Sequence, residues 1–113
     1  MEAQPREVLS YQREDSTVPF DEWLYSLRDG KARARIRARL ERVSLGNLRD
    51  YKSVRAGVCE LRIDYGSGYR IYFGQVGSSI VLLLCGRDKS SQDQDIRRAK
   101  GYWADYERRE STN

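Results

Sequence analysis

The chain has 113 residues, enough for one domain and one modest core. It has no histidine and only two cysteines, Cys59 and Cys85. A Ser-His-Asp triad, a histidine base, a His-ligated metal and a Cys₄ or Cys₃His zinc site are therefore excluded. Lys plus Arg number 21 and Asp plus Glu 17, a formal net charge of +4.

That charge is unevenly spread. Residues 1–30 carry three basic residues and seven acids, a net of −4. Residues 31–43, KARARIRARLERV, carry six basic residues and one acid, a net of +5. Such a block suits a polyanion or an acidic partner protein, and it equally suits a solvated helix face. No stretch approaches 18 apolar residues, and the first ten lack the apolar run of a signal peptide. The expectation is a cytoplasmic protein, not membrane-bound, with reduced thiols.

Glu7 to Arg13 alternates its side chains and reads as a first strand. Thr17 and Pro19 announce a helix, and Phe20, Trp23, Leu24 and Leu27 give it one apolar face. Asp29-Gly30 breaks it. A second helix over 31–44 has Ala32, Ile36, Leu40 and Val43 as its buried stripe, with the arginines outside it and Gly46 as its stop. The two make a helical hairpin. Asn47 to Ala56 is a polar connection.

A three-strand meander follows over 58–65, 69–76 and 80–85. A three-residue GSG loop pairs Tyr65 with Tyr69, Ile63 with Ile71 and Leu61 with Phe73. A Gly77-Ser78 turn pairs Phe73 with Leu82 and Ile71 with Leu84. Arg62, Asp64, Arg70 and Tyr72 then share the opposite face, with Asp64 across from Arg70. A one-residue slip would mix arginines with isoleucines. The strand IVLLLC is apolar on both faces, as a central strand covered on both sides should be, and the first strand pairs beside it. Cys59 and Cys85 fall on opposite faces, so a disulfide is disfavoured and buried free thiols are expected. A last helix, capped by Ser90 or Ser91, turns Ile96, Ala99, Trp103 and Tyr106 to one side, with Trp103 in the core and 110–113 fraying. The expected whole is a single α+β domain over 1–113: a small, mainly antiparallel sheet, an N-terminal helical hairpin and a C-terminal helix.

Arg62, Arg70, Arg87 and Lys89 can converge where the last strand meets the last helix. Gathered cations repel one another, so a phosphate is the natural reason to gather them. The run GRDKSS offers Arg87, Lys89, Ser90 and Ser91 to such a group, beside helix amides that favour an anion. The plain alternative is a capped helix beside an Arg70–Asp64 ion pair. Tyr72 can stack on a base or be an ordinary half-buried strand tyrosine. Arg33 and Arg37 on the basic helix can serve RNA or a partner. With neither histidine nor an acidic cluster, the chemistry left to such a site is cation-based cleavage of RNA, whose own 2′-hydroxyl is the nucleophile. A lysine can shuttle the proton.

The runs FDEWLYSLRDGKARARIRARL, GVCELRIDYGSGYRIYF and LLLCGRDKSSQDQDIRRAKGYW resemble the RelE/ParE superfamily of type II toxins, and within it the HigB-like addiction module killer protein group. The resemblance covers about residues 18–108. It implies a RelE-like fold and a toxin that blocks translation by cleaving mRNA on the ribosome, without a cofactor or metal. It also implies a cognate antitoxin, typically with a helix-turn-helix DNA-binding domain. The arginine of the family's GYR motif matches Arg70, a phosphate-stabilising position. Arg62 matches the basic residue on the preceding strand, and Arg87 and Lys89 those after the last strand. Where RelE-like enzymes often carry a tyrosine near the start of the last helix, this chain reads SSQDQD. A ParE-like, non-enzymatic poison of DNA gyrase is the alternative within the superfamily. A passive RNA- or protein-binding module is the alternative outside it.

Overall fold

A computed structural model of the chain describes residues 4–88 and 92–111. Five strands form one mixed sheet: β1 (Glu7–Ser10), β2 (Tyr51–Ser53), β3 (Val58–Ile63), β4 (Tyr69–Val76) and β5 (Ile80–Arg87). Their spatial order is β1-β5-β4-β3-β2. The β1–β5 pair is parallel and the other three pairs are antiparallel. Three helices complete an α+β fold: α1 (Pro19–Ser26), α2 (Gly30–Ser44) and α3 (Gln92–Ser111). Among the described residues no helix is long and apolar enough to cross a membrane.

The α1–α2 hairpin forms where its residues demand it. Pro19 opens α1, with Asp21 and Glu22 in the first turn favouring its dipole. Leu27 turns extended and ends it. The Asp29 side chain then accepts the amides of Lys31 and Ala32, a cap of about 1 kcal/mol. At the other end of α2, Gly46 takes φ +97°, and the Gly46 and Asn47 amides bond back to Val43 and Arg42. Leu40 is only partly buried, whereas Ala32, Ile36 and Val43 are fully so. One arginine departs from the outward pattern. Arg39 is buried and donates to the carbonyls of Asn47 and Arg49, tying down the loop that leads into β2.

The sheet separates two cores. On one face Phe20, Leu24, Ile36 and Val43 pack on Leu61, Ile63, Ile71, Phe73, Val81 and Leu83. On the other, Ala99 and Trp103 of α3, flanked by Ile96 and Tyr106, pack on Val58, Tyr72, Leu82, Leu84 and Cys85. β5 is covered on both sides. Cys59 and Cys85 are free thiols associated with opposite cores. Two tryptophans lie directly on glycines. A Cβ at Gly86 would stand 2.3 Å from the Trp23 ring, and one at Gly74 would stand 2.2 Å from Trp103.

Three expectations are corrected. First, the polar connection contains an edge strand, β2, whose three residues are all exposed. Without an apolar alternation it gives no periodic signal. Second, both hairpin registers differ. Ile63 pairs with Tyr69, Leu61 with Ile71 and Cys59 with Phe73, so the first loop spans 64–68. Positive φ at Gly66 and Gly68 allows this wider turn, which the Gly68 amide closes onto the Tyr65 carbonyl at 2.9 Å. The displacement is two residues, so every side chain keeps its face. In the second hairpin Val76 pairs with Ile80 and Phe73 with Leu83. A bulge at Tyr72/Phe73 then brings Ile71 opposite Gly86 rather than Leu84. Third, α3 continues through Ser111, so Glu110 and Ser111 are helical rather than frayed.

Candidate functional site

The corrected register creates the site. Arg62 pairs with Arg70 across β3 and β4, and Arg70 with Arg87 across β4 and β5. Cross-strand partners point to the same face. Three arginines therefore stand in one row across three strands, on the face that α3 covers only in part. They grade from outside to inside. Arg62 is exposed, the Arg70 side chain is 23% exposed, and Arg87 is buried at 7%.

The neighbouring row holds Lys52, Glu60, Tyr72 and Cys85, each the cross-strand partner of the next. Glu60 is 1% exposed. A carboxylate so deep survives only with partners. Its Oε2 accepts the Tyr72 hydroxyl at 2.9 Å. Its Oε1 lies 3.5 Å from Arg70 Nε and 3.9 Å from Lys52 Nζ. Arg87 Nε in turn donates to the Tyr72 oxygen at 3.2 Å, while its NH1 donates to the Asp88 carbonyl at 2.6 Å. Burial drives the Tyr72 phenol well above its ordinary pKa, reinforced by Glu60 and opposed by Arg87.

An open cleft lies over the shallow end of these rows. Lys52, Arg62 and Arg70 line it, together with Asp50, Asp64 and Gly68. Three cations and two carboxylates line the cleft, and the buried Glu60 carboxylate lies behind Lys52 and Arg70. A phosphate oxygen there would meet guanidinium and ammonium groups, which bind it through charge-assisted hydrogen bonds.

The candidates are not all brought together. Arg62, Arg70 and Arg87 are. Lys89, Ser90 and Ser91 lie outside the described residues. Tyr72 is no stacking platform: it is fully buried, and its hydroxyl is engaged with Glu60 and Arg87. Asp64 does not face Arg70; it sits in the wider first loop, and the ion-pair partner of Arg70 is Glu60. Arg33 and Arg37 also part company. Arg33 is half-buried and donates to the Leu27 carbonyl, stapling α2 to the end of α1. Arg37 is exposed, its guanidinium 5.7 Å from the Tyr25 ring centroid. Trp103 is in the core, at 7% exposure.

Glu60 and Lys52 are the members that the residue pattern did not reveal. A signal for Glu60 exists. It alternates with Val58 and Arg62 on one face of β3, and an acid between an apolar residue and an arginine is out of place unless it is paired. Lys52 sits on the short edge strand and carries no such signal.

No family model matches the chain. An uncharacterized protein of Haemophilus influenzae is 51% identical over 85 residues, which are 75% of this chain and 86% of that protein.

Proposed function

This chain belongs to one family with the Haemophilus influenzae protein, and we propose that it is the toxin of a type II toxin–antitoxin pair, a metal-independent mRNA endonuclease of RelE-like fold. The observation that carries this reading is the row Arg62–Arg70–Arg87. Like charges directly opposite one another destabilise a sheet. The phosphates of an RNA backbone would offset the repulsion that the row otherwise carries.

In this reading the 2′-hydroxyl of bound RNA attacks the adjacent phosphorus. The 5′-oxygen of the next nucleotide leaves, and a 2′,3′-cyclic phosphate remains. Arg62 and Arg70 stabilise the charge that grows on the phosphoryl oxygens. Arginine stays protonated and does not serve as the base. The 2′-hydroxyl gives up its proton to water, and the exposed ammonium of Lys52, on the wall of the same cleft, protonates the departing 5′-oxygen; Lys89 is the other lysine that the sequence offers for this transfer. The substrate is mRNA on the ribosome, in the cytoplasm. The neutralising partner is a cognate antitoxin whose acidic segment meets the exposed face of α2 at Arg37. A helix-turn-helix domain, where present, belongs to that antitoxin.

A second reading, a ParE-like poison of DNA gyrase that performs no chemistry, draws on the burial of Tyr72. That phenol is not accessible to donate a proton to a leaving group.

The experiment is inducible expression with pulse labelling of protein and DNA synthesis, wild type beside Arg70→Ala. The mRNA nuclease predicts prompt loss of protein synthesis that Arg70→Ala abolishes. Equal growth inhibition by Arg70→Ala contradicts it. Early loss of DNA synthesis moves the assignment to gyrase. Loss of neither leaves a binding module.

A further inference from the structure

We propose that Glu60 is the positioning residue of this site: a buried carboxylate that orients Arg70 directly and Arg87 through Tyr72. The inference rests on the nuclease reading for its kinetic consequence, and on geometry alone for the orientation itself.

An anion-binding cleft gains nothing electrostatically from a carboxylate behind its cations. Glu60 weakens the local attraction for phosphate, and its burial costs solvation. Yet it is placed at 1% exposure, within 4 Å of two cations. What it supplies is direction. Arg87 Nε reaches the Tyr72 oxygen, and the Tyr72 hydroxyl reaches Glu60 Oε2. The other carboxylate oxygen faces Arg70 Nε at 3.5 Å. One carboxylate thereby governs two guanidinium groups that stand opposite each other across β4 and β5. Arg70 Nε is buried and makes no hydrogen bond among the described residues, with Glu60 Oε1 as its ion-pair partner. With its Nε edge turned toward Glu60, Arg70 keeps its terminal nitrogens for the cleft, which it lines.

The opposite signs of the two effects make the role testable. Glu60→Gln preserves size and an acceptor for Tyr72 but removes the charge. Cleavage of ribosome-bound mRNA should slow by about 10- to 100-fold, the scale of an ångström's misplacement. Affinity for the RNA should be unchanged or tighter, because a negative charge has left an anion site. Tyr72→Phe keeps the packing and cuts only the link to Arg87, so it should slow cleavage with RNA affinity unchanged. It also serves if Glu60→Gln does not fold. Wild-type cleavage rates in the folded variants would overturn the proposal. So would a Glu60→Gln protein whose affinity and rate fall by the same factor, the mark of general damage.

The Nε–H resonances of Arg70 and Arg87 in ¹H–¹⁵N spectra report orientation without reference to activity. Glu60→Gln should displace both, and Tyr72→Phe that of Arg87. If wild-type protein cleaves no RNA, the nuclease reading fails and these resonances alone decide. Signals unmoved by Glu60→Gln would then refute the positioning role.

Discussion

Arg62 and Arg70 stand directly opposite each other across β3 and β4, two cations on one face at the mouth of a cleft. A like-charge pair of this kind opposes folding by a few tenths of a kcal/mol to about 1 kcal/mol. Arg62 is the exposed member. Arg62→Gln should therefore leave thermal stability equal or slightly higher, while RNA cleavage falls by about 10-fold or more from lost charge stabilisation. Melting curves and a cleavage assay on the same preparation test this. A destabilised Arg62→Gln protein would mean that the arginine serves the fold.

The tryptophan–glycine contacts should be intolerant of a single methyl group. At Gly74 and Gly86 the new Cβ would sit within 2.3 Å of an indole ring. Trp103 is buried and cannot withdraw without opening its core, and Trp23 would have to leave the surface on which it packs. Gly74→Ala and Gly86→Ala should each cost at least about 1–3 kcal/mol, read as a lower denaturation midpoint. Gly66→Ala has nothing within 4 Å and carries only the strain of φ +58°. It should cost about 1 kcal/mol. Equal midpoints for the three variants would refute the packing argument.

The Tyr11–Asp105–Arg109 cluster ties β1's exit to α3. The Tyr11 hydroxyl donates to Asp105 Oδ2 at 2.5 Å, and Arg109 pairs with the same oxygen at 2.8 Å. The Tyr11 hydrogen bond, aided by the arginines, holds the Asp105 carboxyl below its ordinary range. Its folded-state pKa is thus lower than its unfolded one. The resulting stability is present above the unfolded value, about 4 for an aspartate, and is lost as pH falls through the folded value. Asp105→Asn should lower stability at pH 7, with the gap to wild type closing in acid. Burial and Asp105 push the Tyr11 phenol up to about 12. Its contribution is intact below pH 10 and fades as pH rises toward that value. Urea titrations at pH 3, 7 and about 11 measure both limbs.

The two thiols should be sluggish. Burial pushes Cys85 up to about 12, with Asp95 adding to it, and burial also raises Cys59. Thiolate is the reactive form. Alkylation of native protein at pH 8 should leave Cys85 essentially unmodified and Cys59 slow, with both modified in denaturant. Mass spectrometry of the timed reaction checks this. Rapid native labelling of Cys85 would contradict its place beneath α3.

The arginines of α2 should separate by charge reversal. Arg33→Glu breaks the staple to the Leu27 carbonyl and should lower stability. Arg37→Glu is exposed and should leave stability nearly unchanged. If the polyanion or its mimic binds this face, Arg37→Glu should weaken binding and reduce its salt dependence by about one released counterion.

Much was legible before any tertiary contact. Phe20, Leu24, Ile36 and Val43 announced a buried helical hairpin, because the helical repeat puts such spacings on one side. The two-residue repeat of β3 and β4 assigned Ile63 and Ile71 to one face and Arg62 and Arg70 to the other. It did so despite the wrong pairing, since a two-residue displacement preserves faces. The apolar run of β5 identified a strand covered on both sides, and Trp103 was assigned to the core.

What the sequence did not determine was who stands opposite whom. That depends on loop length and on one bulge. The turn at 64–68 and the extra residue near Leu84 put Arg62, Arg70 and Arg87 in a single row rather than in a loose cluster. The same choice moved Asp64 away from Arg70 and set Glu60 beside Tyr72. Burial of a charge is likewise a tertiary decision. Arg39 carries no mark in the chain that separates it from the exposed arginines of α2, and the alternation of Glu60 with Val58 and Arg62 marks it as out of place without naming its partners. They lie inside because the folded chain brings them carbonyls, a phenol and guanidinium groups in place of water. Periodicity is a local property, readable along the chain; register and charge pairing are settled only when distant segments meet.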